Sequence, residues 1–190
     1  MRLESAPIQT RYFHNYSTAQ IESMRHHKMT RSGMHNPGIT VAEHELKTDC
    51  QVAGIQHAGR GPLCVWAETV HVSFDYNSMD VYISSQYAEG TCPYQAILAH
   101  ENQHVAINLR TLNKYKTLME RALKKDRSIP TKGNPLSVRS LEDGKRIISQ
   151  RIDRIVNPLY ARFKREVISE NGKIDTMKNY RRVNAQCKDW

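Results

Sequence analysis

PYQAILAHENQHVAINLRTLNKYKTLMERAL, residues 93–123, is the stretch whose reading decides the fold. Tyr94, Ile97, Leu98, Val105, Leu112, Tyr115, Met119 and Leu123 recur at the spacing of one side of a helix. Pro93 suits the first helical turn, where a missing N–H costs nothing. One long amphipathic helix is therefore predicted, and it carries His100-Glu101-Asn102-Gln103-His104, an HExxH pattern. Residues four apart share a helix face, so the imidazoles of His100 and His104 can meet one metal ion. Glu101 projects about 100° away from His100. From there it can act on a water at that ion as a base.

Composition sets the bounds. A chain of 190 residues can bury a core of its own and is read as one domain, 1–190. Mean hydropathy is −0.65, and no apolar run approaches the roughly 18 residues of a membrane span. The opening Met-Arg-Leu-Glu-Ser-Ala-Pro lacks the apolar centre of a signal peptide. The net charge is +9, with basic residues thickest after Arg110. Acidic residues are interspersed and no aromatic-plus-basic stacking pattern appears, so nucleic acid is not an expected partner. A basic surface facing acidic cell-envelope partners is compatible with this charge.

Outward from the central stretch, residues 11–16 read as a strand, and Ser17-Thr18 as the cap of a short helix containing Ile21 and Met24. His26, His27 and His35 form a patch better suited to the surface than to a metal. Residues 38–53 and 63–74 alternate as strands, with turn chemistry between them centred near His57. Asp75-Tyr76-Asn77-Ser78 is read as a turn into a third strand, 79–84. Residues 81–87 are the candidate edge for pairing with an extended substrate. Beyond the central helix, 126–138 is a loop. Ser140 and Asp143 open a second long helix with an apolar seam through Ile148, Ile152, Ile155, Leu159, Phe163 and Val167, and Asn171-Gly172 closes it. Gly144 and Pro158 interrupt that helix, and Pro158 should bend it.

The fold class expected is α+β. A small antiparallel sheet with one short N-terminal helix occupies 1–92, a long antiparallel helical hairpin 93–170, and a tail 171–190.

Catalytic zinc takes three protein ligands and keeps one position open. No His follows His104, and Glu120 would lie about 24 Å along the helix. Folding the hairpin about residue 132 brings 160–166 beside 98–104. Glu166 is then the expected third ligand, and Tyr160 the expected phenol facing a developing oxyanion. Asp175 and Asp153 are the alternatives, with His71 or His57 further off. The same fold-back pairs Cys92 with Cys187, and the first hairpin sets Cys50 opposite Cys64. Two disulfides point to a secreted or periplasmic location, with a cytoplasmic one as the alternative.

With these residues in view, the chain resembles the zincin superfamily of HExxH metallopeptidases. More narrowly, Tyr16-Ser17-Thr18, then strands, then Leu98-Ala99-His100-Glu101-Asn102-Gln103-His104 is similar to an uncharacterised bacterial family of predicted secreted zinc proteases. That family often has Gly before the second His, where this chain has Gln103. It tends to close on a His-Gly motif near Tyr-Asp and Thr, where this chain has Ile174-Asp175-Thr176 and then Asn179-Tyr180. The resemblance implies a zinc-dependent peptidase acting on a protein or peptide substrate. A metal-activated water would attack the peptide bond, with Glu101 as general base and His100 and His104 as ligands. A second reading is a non-enzymatic metal-binding envelope or effector protein whose helical hairpin binds a partner, and a third is a binder of anionic ligands.

Overall fold

In chain order the elements are β1 (Arg2–Glu4), β2 (Arg11–Tyr16), α1 (Thr18–Ser23), β3 (Gly38–Gln56), β4 (Leu63–Ser84), α2 (Cys92–Lys125), β5 (Leu136–Val138), α3 (Leu141–Ile174) and α4 (Met177–Asn184). The computed structural model describes residues 2–4, 8–24, 37–56 and 61–190. The patch of His26, His27 and His35 lies outside them, as does His57.

The long strand β4 organises the sheet. Among the described residues it pairs with all four other strands of a five-stranded sheet. The sheet is mixed, where an antiparallel one was expected: β1 and β2 run parallel to β4, and β5 antiparallel. A parallel neighbour needs a crossover, not a hairpin, and β2 reaches β4 only after α1 and β3 have intervened. The expected turn at residues 75–78 is absent, and β4 passes straight through it. Its inward parity changes there, from Val70, Val72, Phe74 and Tyr76 to Met79, Val81 and Ile83. Residues 81–87 are not a free edge either. Val81 and Tyr82 pair with Tyr12 and Phe13, and the Ser84 amide donates to the Pro37 carbonyl.

The chain divides into two compact units. The first comprises Met1–Ala6, Glu45–Asp75 and Leu112–Arg165. Its core joins Val65, Val70 and Val72 of β4, Leu123 of α2, Ile129, and Ile148, Ile152 and Val156 of α3. Tyr115 meets Phe163 at 5.9 Å, and Phe74 lies edge-on to Phe163 at 4.8 Å. Gly144, an apparent fault in the helix, is a point of close approach: a Cβ there would fall 2.7 Å from Val65 Cγ2. Lys116 forms an ion pair with Asp75.

The second unit comprises Pro7–His44, Tyr76–Thr111 and Glu166–Trp190. Ser17 caps α1 in a reciprocal box with Gln20. Arg11 grips Asp80 with two bonds of 2.7 Å. A disulfide joins Cys92 at the start of α2 to Cys187 just past α4, with Cα atoms 5.8 Å apart. This matches the expected pairing.

Cys50 and Cys64, expected to be bonded, are both free thiols. The register explains the difference. Gly54 faces Leu63, Cys64 and Val65, so Cys50 lies four residues further along β3. At about 3.3 Å per residue that is about 13 Å, beyond the reach of a disulfide.

Within each unit, contacts that advance along α2 retreat along α3. In the first unit Tyr115 meets Phe163, and Leu123 shares the core of Ile148 and Ile152. In the second His104 meets Asn171. The helix α3 runs on through Asn171-Gly172 to Ile174, about one turn past its expected end.

Candidate metal centre

All the residues of the site belong to the second unit. His100, Glu101 and His104 lie on the buried face of α2, each less than a tenth exposed, and their ligand atoms fall within 4.8 Å of one another. Such polar groups are costly to bury unless partnered, and each has partners. Thr40 of β3 donates from Oγ1 to Glu101 Oε2 at 2.8 Å. Gly38 makes that approach possible, because a Cβ there would meet Ile97 Cγ2 at 2.7 Å and Glu101 Oε1 at 2.9 Å.

The last turn of α3 and the start of α4 supply the opposite wall. Asp175 Oδ1 lies 3.3 Å from His100 Nε2 and 3.1 Å from His104 Nε2. Tyr180 donates its phenol to the same oxygen at 3.0 Å and tilts over the His100 ring. On its other side His104 Nδ1 donates to Asn171 Oδ1 at 2.7 Å. The Asn171 amide is fixed in turn by donation to the Val167 carbonyl. With Nδ1 committed as a donor, Nε2 of His104 is the nitrogen left to bind a cation. Asn179 Nδ2 donates to the Ile174 carbonyl at 2.7 Å and sits 3.4 Å from His100 Nδ1. Beneath the site, Tyr76 donates to Asn108 Oδ1, and Asn108 donates to the His104 carbonyl, both at 2.8 Å.

The electrostatics follow from this packing. Burial pushes the Glu101 carboxyl above the ordinary carboxylate range, outweighing His104, His100 and the Thr40 hydroxyl. Burial acts in the same sense on Asp175, but there the bonds from His100, His104 and Tyr180 prevail and hold it well below that range. His104 is held above the ordinary histidine value, because Asp175 and Glu101 overcome its burial. Two neighbouring carboxyls are thus driven in opposite directions, a mark of functional sites. Asp175 is kept anionic between two imidazoles, where a cation would be held, and Glu101 is poised to take up a proton.

A cavity of about 160 Å³ opens beside these groups, lined by Gly38, Ile39, Thr40, Glu101, His104, Asn108, Asn171 and Asp175. Glu166, the expected third ligand, is absent from this lining and half-buried elsewhere on α3. The acid that reaches both imidazoles is Asp175, one of the alternatives. Two others lie in the first unit, where Asp153 accepts from Thr48 and His71 pairs with Arg2 along β4, and His57 is outside the described residues. Tyr160 belongs to that unit too. It packs edge-on against Phe74 and stacks on Phe163, with the Lys164 ammonium over its ring. The phenol at the centre is Tyr180.

Sequence reading did not single out Thr40, Asn108, Asn171 or Tyr180 for the site. For Asn171 a signal existed: it stands four residues before Asp175, one helical turn, so both can face one point if α3 continues.

No family model, curated protein or solved structure matches the chain.

Proposed function

We propose that the protein is a zinc-dependent peptidase, with His100, His104 and Asp175 as ligands and Glu101 as general base. One observation carries this reading: the two Nε2 atoms converge on Asp175 Oδ1 at 3.3 and 3.1 Å. Donors about 2.0–2.1 Å from a tetrahedral zinc stand about 3.3–3.4 Å from one another. The two N···O spacings and the N, N, O donor set are therefore of the kind that would hold a zinc ion.

A zinc ion held there would polarise the scissile carbonyl and make water acidic enough to act as a nucleophile. The protein's own groups supply the rest. Glu101, raised by burial and aligned by Thr40, takes the water's proton and passes it to the leaving amine. Gly38, Ile39 and Thr40 of β3 border the cavity in which a substrate would lie. Asn171 keeps His104 in the tautomer that binds through Nε2. The resemblance to secreted zinc proteases supports the same chemistry, and the Cys92–Cys187 disulfide supports a secreted or periplasmic location.

Metal analysis of purified variants tests the assignment. The expected result is one zinc per chain in wild type and in Glu166→Ala, and none in His100→Ala or Asp175→Ala. Glu101→Gln should keep zinc and lose peptide hydrolysis by about 10²–10⁴-fold. Zinc retained without Asp175 but lost without Glu166 would overturn the ligand set.

A non-catalytic centre is favoured by a different feature. The Glu101 carboxylate lies within 4.8 Å of both imidazole ligand atoms, so with Asp175 it could complete four protein donors and leave no open position. In that case Glu101→Gln would weaken zinc binding itself, the opposite of the outcome expected for a base.

A further inference from the structure

We propose that one end of the first unit is a docking surface for anionic phospholipid bilayers. The end is formed by the last turn of α2, the loop to α3, and the junction of β5 with α3. This inference is independent of the metal centre.

The charge is unevenly distributed. Residues 112–165 hold 15 of the 28 Lys and Arg but only 5 of the 19 Asp and Glu. Several of these cations gather in one place. The Leu63↔Val138 and Val65↔Leu136 pairs set β5 beside the start of β4, Ala67 donates to the Pro130 carbonyl, and Gly144 abuts Val65. These contacts bring Lys132, Arg139 and Lys145 to the end of the unit where β4 begins. Ile129, within the core cluster of Val65, carries the end of α2 to the same place.

Lys125, Arg127, Lys132, Arg139 and Lys145 are all exposed. Lys125, Arg127, Lys132 and Lys145 make no ion pair among the described residues, and Arg139 lies near enough to Asp143 to help Arg146 and Ser140 hold its carboxyl below the ordinary range. The dipole at the C-terminus of α2 accounts for Lys124 and Lys125, and for none of the others. Three acids share the region, and two of them are engaged locally. Asp143 binds Arg146 and caps with Ser140, and Asp126 accepts from the Ser128 amide. Glu142 is the third.

Two exposed aliphatic side chains decide what the cations meet. Ile55 is 50% exposed and Leu141 42%. Ile55 follows Gly54, which lies on Leu63, and Leu141 lies three residues after Val138, the partner of Leu63. Both therefore sit at the same end as the cations. Aliphatic groups rimmed by lysine and arginine suit the boundary between headgroups and acyl chains. Duplex nucleic acid would need the cations alone and no aliphatic contact, so the two exposed aliphatic side chains are what favours a bilayer.

The test is sedimentation of the full chain with large vesicles, either phosphatidylglycerol–phosphatidylcholine or phosphatidylcholine alone. Binding is expected only to the anionic vesicles, and should weaken at least about tenfold on raising salt from 0.05 to 0.5 M. Lys125→Glu/Lys132→Glu/Lys145→Glu should lose at least about tenfold. Ile55→Ser/Leu141→Ser should lose affinity that high salt does not mimic. Circular dichroism and urea unfolding serve as checks that both variants fold. Equal binding to neutral vesicles, no binding to anionic ones, or binding indifferent to the charge reversal would overturn the proposal. So would tighter binding to duplex DNA together with vesicle binding indifferent to Ile55 and Leu141, which would mark a general polyanion surface.

Discussion

The two halves of α2 follow the same helical period, but the first buries a polar stripe beside its apolar residues Ala96, Ile97, Val105 and Ile107, while the second is almost wholly apolar. From Leu112 onward the buried positions are Leu112, Tyr115, Met119 and Leu123, with Lys116 paired to Asp75. Before it they include His100, Glu101, His104, Asn108 and Thr111. An apolar stripe is stabilised by leaving water. A polar stripe is costly to bury and persists only where each group is partnered. The partners of the first half converge on one point, so its cost is tied to what that point holds. Substitutions in the two halves should therefore fail differently.

The largest effect on folding is expected from Phe163→Ala. Phe163 is fully buried against Tyr115 and Phe74, and truncation should cost about 3–5 kcal/mol in urea unfolding. Zinc content of the folded fraction should not change. Loss of zinc in step with stability would erase the distinction between the halves.

Next in size is the effect of metal on stability. Free zinc at 100 times its dissociation constant should stabilise the wild type by about 2.7 kcal/mol, read as a rise in melting temperature. Asp175→Ala should abolish that rise. In Phe163→Ala the increment should survive on a lower baseline, so the two variants separate what holds the chain from what holds the ion.

How far the sequence discloses this contrast depends on the range of the interactions involved. Local signals are legible: the stripe of α2, the pattern of His100, Glu101 and His104, the strand 11–16 and the Ser17 cap all depend on neighbours within a turn or two. The disulfide of Cys92 with Cys187 is legible because both cysteines lie near helix ends, where an error of a few residues is tolerated. The third acid is not. Its position depends on the length of the α2–α3 connection, which contains β5, and on α3 continuing past Asn171-Gly172. Moving the fold-back point by a few residues places Asn171 and Asp175 opposite the imidazoles in place of Glu166. The Cys50–Cys64 pairing is lost to register in the same way, and Asp75-Tyr76-Asn77-Ser78 has the composition of a turn but lies within β4.

A smaller effect isolates the support behind one ligand. Asn171→Ala removes the acceptor of His104 Nδ1 while leaving every proposed ligand in place. Zinc affinity should fall about 10–100-fold, with unfolding of the metal-free protein changed far less than in Phe163→Ala. Asn171→Asp retains an acceptor at the same place and should recover most of the loss. If it does not, the bond to His104 is incidental.

The smallest effect expected is at the hinge between α3 and α4. Thr176 caps α4, accepting from the Asn179 amide at 3.2 Å, and α4 carries Tyr180, whose phenol meets Asp175. Thr176→Ala should cost about 1 kcal/mol of stability, and Thr176→Ser should restore it. Its consequence for zinc separates two accounts of the site. If Cys92–Cys187 and the last turn of α3 suffice to hold Asp175, zinc affinity will hardly move while stability falls. If it falls as far as in Asn171→Ala, α4 is part of the metal support, and the polar half of α2 depends on a helix of only eight residues near the end of the described chain.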